Sequence, residues 1–130
     1  MSQAISVLVV DDEGCGLITP ALRDHYHCIT ARSAMGAIPM LMSTCIKVVV
    51  ADVGLPDLSG LEFYQIVNRI SPQTLVILVS GDHDERAAAA AIEQGAFGYL
   101  GKPFNMAELL ETVEHALRHQ GERAAGRSVS

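Results

Sequence analysis

Lys47-Val-Val-Val-Ala51, followed at once by Asp52-Val-Gly-Leu-Pro56-Asp-Leu-Ser-Gly60, is the stretch on which the fold turns. A continuous valine run stops at an acid, and a segment with Gly, Pro and Ser follows. An unbroken apolar run, rather than an alternating one, marks a strand covered on both faces, as in a parallel sheet. Two further runs share the pattern. Ile5–Val10 ends in Asp11-Asp12-Glu13, and Thr74–Val79 (TLVILV) ends at Ser80. His27–Thr30 and Gly98–Leu100 are shorter strand candidates.

Helical spacing fills the intervals. Leu61–Ile70 carries Leu61, Ile66, Val67 and Ile70. Arg86–Gln94 is mostly alanine, the best helix former, and Gly95 suits its C-terminal cap. Asn105 is expected to cap a last helix bearing Leu109, Leu110, Val113 and Leu117, with Glu108 completing a capping box. Two segments fit less well. Gly14, Gly16 and Pro20 crowd the first helix, so we expect a late start with Thr19 as N-cap and Pro20 in the first helical position. Pro39 lies inside the second helical stretch and is expected to kink it. The order is β-α repeated five times, which implies right-handed crossovers and helices on both faces of the sheet.

The 130 residues suit one domain, and 49% apolar residues suffice for a core without disulfide or metal staples. We expect a folded unit over residues 1–119 and a frayed tail or linker over 120–130, where large apolar residues are scarce. No apolar stretch is long enough to span a bilayer, and no basic-then-apolar leader precedes Ile5, so the expected location is cytoplasmic. Cys15, Cys28 and Cys45 contain no CxxC pair and read as reduced thiols. A net charge of −6 and the absence of Trp argue against direct nucleic-acid binding by this domain.

Ligands of open parallel α/β sheets bind at the carboxyl ends of the strands. Those ends carry Asp11 and Asp12 after the first strand, Asp52 after the third, Ser80 after the fourth and Lys102 just past the fifth. Three carboxylates would raise one another's pKa unless a cation joined them. Mg²⁺ suits such a site, because it takes a few carboxylates and keeps waters and phosphate oxygens. Lys102 adds a fixed charge and Ser80 a hydrogen-bond donor. The set fits phosphoryl chemistry, with a carboxylate able to act as nucleophile and form an aspartyl phosphate.

At this point the sequence resembles the response-regulator receiver domains of bacterial two-component systems. The resemblance runs from about Ile5 to Leu117. It rests on Asp11-Asp12-Glu13, on Asp52 through Gly60, on Val79-Ser80-Gly81, and on Gly95-Ala96 with Tyr99-Leu-Gly-Lys102-Pro103-Phe104. Spacing agrees as well, with 40 residues from Asp12 to Asp52, 28 from there to Ser80 and 22 on to Lys102. The resemblance implies a doubly wound, flavodoxin-like (βα)5 fold with five parallel strands in the order 2-1-3-4-5. It implies that Asp52 is the phospho-acceptor, and that Asp12, Asp52 and the backbone carbonyl of Gly54 bind Mg²⁺, with Asp11 acting through a metal-bound water. Ser80 and Lys102 would contact the phosphoryl group, Tyr99 would turn inward as Ser80 moves, and Lys102–Pro103 would be a cis peptide. The implied partners are a sensor histidine kinase or phosphotransfer protein, and an output domain or downstream protein. The face made by the fourth and fifth helices and the fifth strand would switch, and a homodimer through that face is compatible with the family. Gly54 departs from the pattern, since a side chain is common there; its smallness would admit water and shorten the phosphoryl lifetime.

Rival readings are weaker. Asp57 reads as a turn residue rather than a second acceptor. His25 and His27 lack a third metal ligand. His83 beside Ser80 lacks the nucleophile elbow of a hydrolase. Gly14-x-Gly16 follows three acids that would repel a pyrophosphate, and Pro103 stands where a P-loop needs Ser or Thr. A small aspartyl phosphatase would need a second acid where Gly54 stands. A scaffold that works without phosphorylation is the main alternative to a phospho-switch, which would catalyse only its own phosphorylation and dephosphorylation.

Overall fold

The computed structural model describes residues 5–11, 18–80, 85–101 and 105–129. Along the chain run β1 (Ile5–Val10), α1 (Ile18–Arg23), β2 (Cys28–Ala31), α2 (Ala34–Ser43), β3 (Ile46–Asp52), α3 (Gly60–Ile70), β4 (Leu75–Ser80), α4 (Glu85–Gln94), β5 (Gly98–Gly101) and α5 (Met106–Val129). The strands form one sheet in the order β2-β1-β3-β4-β5, and every neighbouring pair is parallel. This is the doubly wound α/β fold expected from the sequence.

The valine runs explain the layering. Leu8, Val10, Val49, Ala51, Val76 and Leu78 point to one side and pack with Ala34, Ala37 and Leu41 of α2, Phe63 and Val67 of α3, and Ala88 and Ala91 of α4. Val7, Val9, Val48, Val50, Ile77 and Val79 point to the other and pack with Leu22 of α1 and Leu109, Val113 and Ala116 of α5. Three helices thus cover one face and two the other, burying the central strands on both sides. Each fully buried branched side chain contributes about 1.5–3 kcal/mol of transfer free energy.

Local signals set the helix ends. Asn105 and Glu108 form the expected reciprocal cap, the Glu108 N–H donating to Asn105 Oδ1 at 2.8 Å and the Asn105 N–H to Glu108 Oε1 at 3.3 Å. Ser59 and Glu62 form a second one at α3, which therefore starts at Gly60, one residue before the expected Leu61. Gly95 closes α4 with φ 120°, a conformation that favours glycine.

One expectation changes. α1 begins at Ile18, so Thr19 and Pro20 lie inside its first turn, and the buried Thr19 hydroxyl has no hydrogen-bond partner and caps nothing. Proline is tolerated there because first-turn N–H groups have no intrahelical acceptor anyway. α2 runs as one helix from Ala34 to Ser43 with Pro39 inside it, and the Ser43 hydroxyl donates to the Pro39 carbonyl at 2.9 Å in the turn that follows. α5 runs on to Val129, so the backbone over 120–129 is helical. Cys28 is buried and Cys45 exposed, both as free thiols, whereas Cys15 lies outside the described residues. Among the described residues, no helix is long and apolar enough to cross a membrane.

Candidate functional site

Strand register decides which sequence candidates meet. Val10 of β1 is paired with Ala51 of β3, Asp52 of β3 with Val79 of β4, and Ser80 of β4 with Gly101 of β5. The first residue past β1, the last of β3, the last of β4 and the end of β5 therefore lie along one edge. Asp11, Asp52 and Ser80 come together there as expected. Asp12 and Lys102 lie outside the described residues, as do Glu13, Gly14, Gly16, Gly81, His83, Pro103 and Phe104.

Asp11 is buried, and its N–H donates to the Ala31 carbonyl at 3.0 Å, which extends the β1–β2 ladder by one bond. Asp52 is half-buried, and its Oδ1 accepts the Gly54 N–H at 2.9 Å. The Val53 N–H donates to the Val79 carbonyl at 2.9 Å, so backbone pairing with β4 carries on past the acid. Ser80 has no exposed surface, and its Oγ has no hydrogen-bond partner. A buried hydroxyl without a partner costs about 1–3 kcal/mol, and such orphans call for a ligand, water or functional explanation. Lys47 lies at the opposite end of β3, remote from this edge along the strand.

Asp11 and Asp52 are hard oxygen donors on adjacent strand ends, and Asp12 stands between them and α1 in the chain; this donor chemistry and the orphan Ser80 hydroxyl fit Mg²⁺ with a phosphoryl group. Among the described residues no cluster of three or more His, Cys, Asp or Glu occurs, Asp12 not being one of them. His25 and His27 are both exposed. Tyr99 is 44% exposed on β5.

Asp57 has a partner that no sequence signal announced. Its Oδ1 accepts the Ala34 N–H at 3.1 Å and its Oδ2 the Met35 N–H at 2.8 Å, across 23 and 22 residues of chain. Desolvation pushes the carboxyl up, but the N–H groups of Met35, Ala34, Asp57 and Leu58 together outweigh it and hold Asp57 below the ordinary carboxylate value.

An open parallel sheet with this strand order, two helices on one face and three on the other, and acids with a hydroxyl along its carboxyl edge define a receiver domain. The chain belongs to the response regulator receiver domain family, whose model matches residues 7–114. It is 36% identical over 119 residues to the nitrogen assimilation regulatory protein NtrX of Azorhizobium caulinodans, covering 88% of this chain and 26% of that protein. It is 32% identical over 102 residues to the DNA-binding transcriptional regulator NtrC of Escherichia coli K12, covering 78% of this chain and 22% of that one. The chain thus spans about a quarter of the length of these relatives. Among solved structures, a receiver domain protein from Clostridium thermocellum superposes with a TM-score of 0.85 at 31% identity, over 90% of this chain and 97% of that one. NtrX from Brucella abortus superposes with a TM-score of 0.89 at 27% identity, over 98% of this chain and 30% of that one.

Proposed function

We propose that this receiver domain is a phospho-switch in which Asp52 accepts a phosphoryl group from a sensor histidine kinase or phosphotransfer protein. The observation that carries the reading is the buried, unpartnered Ser80 hydroxyl at the same sheet edge as the half-buried Asp52. A carboxylate oxygen of Asp52 attacks phosphorus, the bond to the donor's imidazole breaks, and the imidazole departs. Asp11, Asp12, Asp52 and the Gly54 carbonyl would hold Mg²⁺, which when bound neutralises charge on the transferring group. Lys102 supplies a second positive charge, and the Ser80 hydroxyl donates to a phosphoryl oxygen, which gives its proton a partner.

Movement of Ser80 toward the phosphoryl group leaves room for Tyr99 to turn inward. The surface of α4, β5 and α5 then changes, for an output domain, a downstream protein or a second copy of the chain. The domain itself catalyses only its own phosphorylation and dephosphorylation, acts in the cytoplasm, and leaves nucleic-acid contacts to other domains.

Intact mass after incubation with acetyl phosphate and Mg²⁺ tests the reading. A single Mg²⁺-dependent phosphoryl adduct is expected on the wild type and none on Asp52→Asn. An unlabelled wild type that still binds Mg²⁺ would instead favour a scaffold independent of phosphorylation.

A further inference from the structure

We infer that Asp57 is a positioning residue for the phospho-acceptor, holding the loop after Asp52 by clamping it to the N-terminus of α2. The inference rests on the reading of Asp52 as acceptor and extends it to a residue that touches neither the phosphoryl group nor the metal.

The loop from Val53 to Ser59 is closed at its neck. The Gly60 N–H donates to the Val53 carbonyl at 2.9 Å, and a Cβ on Gly60 would lie 2.8 Å from Val53 Cα, so only glycine permits this approach. Inside the neck comes Gly54, exposed and without a side chain, whose N–H holds Asp52 Oδ1. Glycine alone cannot keep that N–H aimed, because its backbone has the widest conformational freedom of any residue. Two residues further along restrain the loop. Leu55 is buried and anchors it to the core. Asp57 anchors its far side with both carboxylate oxygens, one on each of the first two N–H groups of α2.

That helix end has a local cap already, since the Ser33 Oγ accepts the Gly36 N–H at 3.0 Å. Asp57 adds a charge where the helix dipole favours it, and does so from a different loop, tying the acceptor loop to the β2–α2 junction. A pure capping role and a positioning role therefore differ in what they affect. Loss of a cap lowers stability alone. Release of the loop also lets the Gly54 backbone wander, and small misplacement of reacting groups is costly in rate.

The test compares Asp57→Ala, Asp57→Asn and Ser33→Ala with the wild type, by thermal unfolding and by the rate of Asp52 labelling across a series of Mg²⁺ concentrations with acetyl phosphate. Ser33→Ala should lose stability and keep the wild-type labelling rate. Asp57→Ala should label on the order of tenfold more slowly and need more Mg²⁺ for half-maximal rate. Asp57→Asn should fall between them, since its amide keeps one acceptor oxygen. Equal labelling by Asp57→Ala and Ser33→Ala overturns the inference. If Asp57→Ala does not fold, a folded Asp57→Asn with wild-type rate and Mg²⁺ dependence overturns it; failure of both to fold makes Asp57 a purely structural residue and overturns it too. A wild type that takes no label defeats the underlying reading of Asp52 instead, whatever the variants do.

Discussion

Asp52 sits where β3 ends, and the next two residues decide how its oxygens are used. The Val53 N–H stays in the sheet, bonded to Val79, while the Gly54 N–H turns back to Asp52 Oδ1. Gly54 places no side chain over Asp52 and is exposed. Gly54→Asn is expected to slow loss of the phosphoryl group by covering the path of water. Following decay of the phosphorylated mass in both proteins checks this, and equal decay rates would remove the idea. Asp57 makes a pH prediction. Its folded-state pKa lies below the ordinary 3.8, so its contribution to stability is present above that value and lost as pH falls through the lower folded value. The difference in unfolding midpoint between wild type and Asp57→Asn should therefore be largest near neutral pH and shrink in acid. A gap that is constant with pH would contradict it.

Between elements, the close of α4 is locked to α3. The Tyr64 hydroxyl donates to the Gln94 carbonyl at 3.0 Å, and the Gln65 amide donates to the Gln94 side chain at 2.9 Å. Gly95 is the residue that lets the chain leave α4 under this ring, with φ 120°, and a Cβ there would stand 2.6 Å from the Tyr64 oxygen. Gly95→Ala combines backbone strain with displacement of that hydroxyl, and should cost about 1–3 kcal/mol in urea unfolding. Gly98→Ala is the control. Nothing lies within 4 Å of its Cβ position and its φ is ordinary, so the change should stay within about 0.5 kcal/mol. Similar losses in both variants would show that strain at Gly95 is not the cause.

For the molecule as a unit, the two apolar layers end with α5. Among the α5 residues whose side chains are described, the buried ones are Leu109, Val113 and Ala116, and all precede His119. Ending the chain at His119 removes none of them, and the thermal midpoint should move by no more than about 5 °C. A larger fall would show that residues 120–129 belong to the folded unit rather than to a tail or linker. The same layering puts Asp52, Ser80 and the α4-β5-α5 surface on one sheet, with Ser80 and the exposed Tyr99 on adjacent strands.

Much of this was legible in one dimension, for physical reasons. Runs such as Val48–Val50 and Leu75–Val79, rich in β-branched residues and bounded by turn signals, read as strands buried on both faces, and the acids and hydroxyl that end them then fall at the sheet's carboxyl edge. Caps such as Asn105 with Glu108, and equally Ser59 with Glu62, involve residues three apart, so they too are readable from spacing. What the tertiary structure alone decided involves partners far apart in the chain or the loss of solvent. The Asp57 carboxylate meets α2 only because two loops converge across 22 and 23 residues, and no local pattern encodes that meeting. The burial of Thr19 inside α1, where a cap was expected, follows from how that helix lies between β2 and α5. The Ser80 hydroxyl becomes an orphan only once β5 and the helices close over β4, and water that would have satisfied it is excluded.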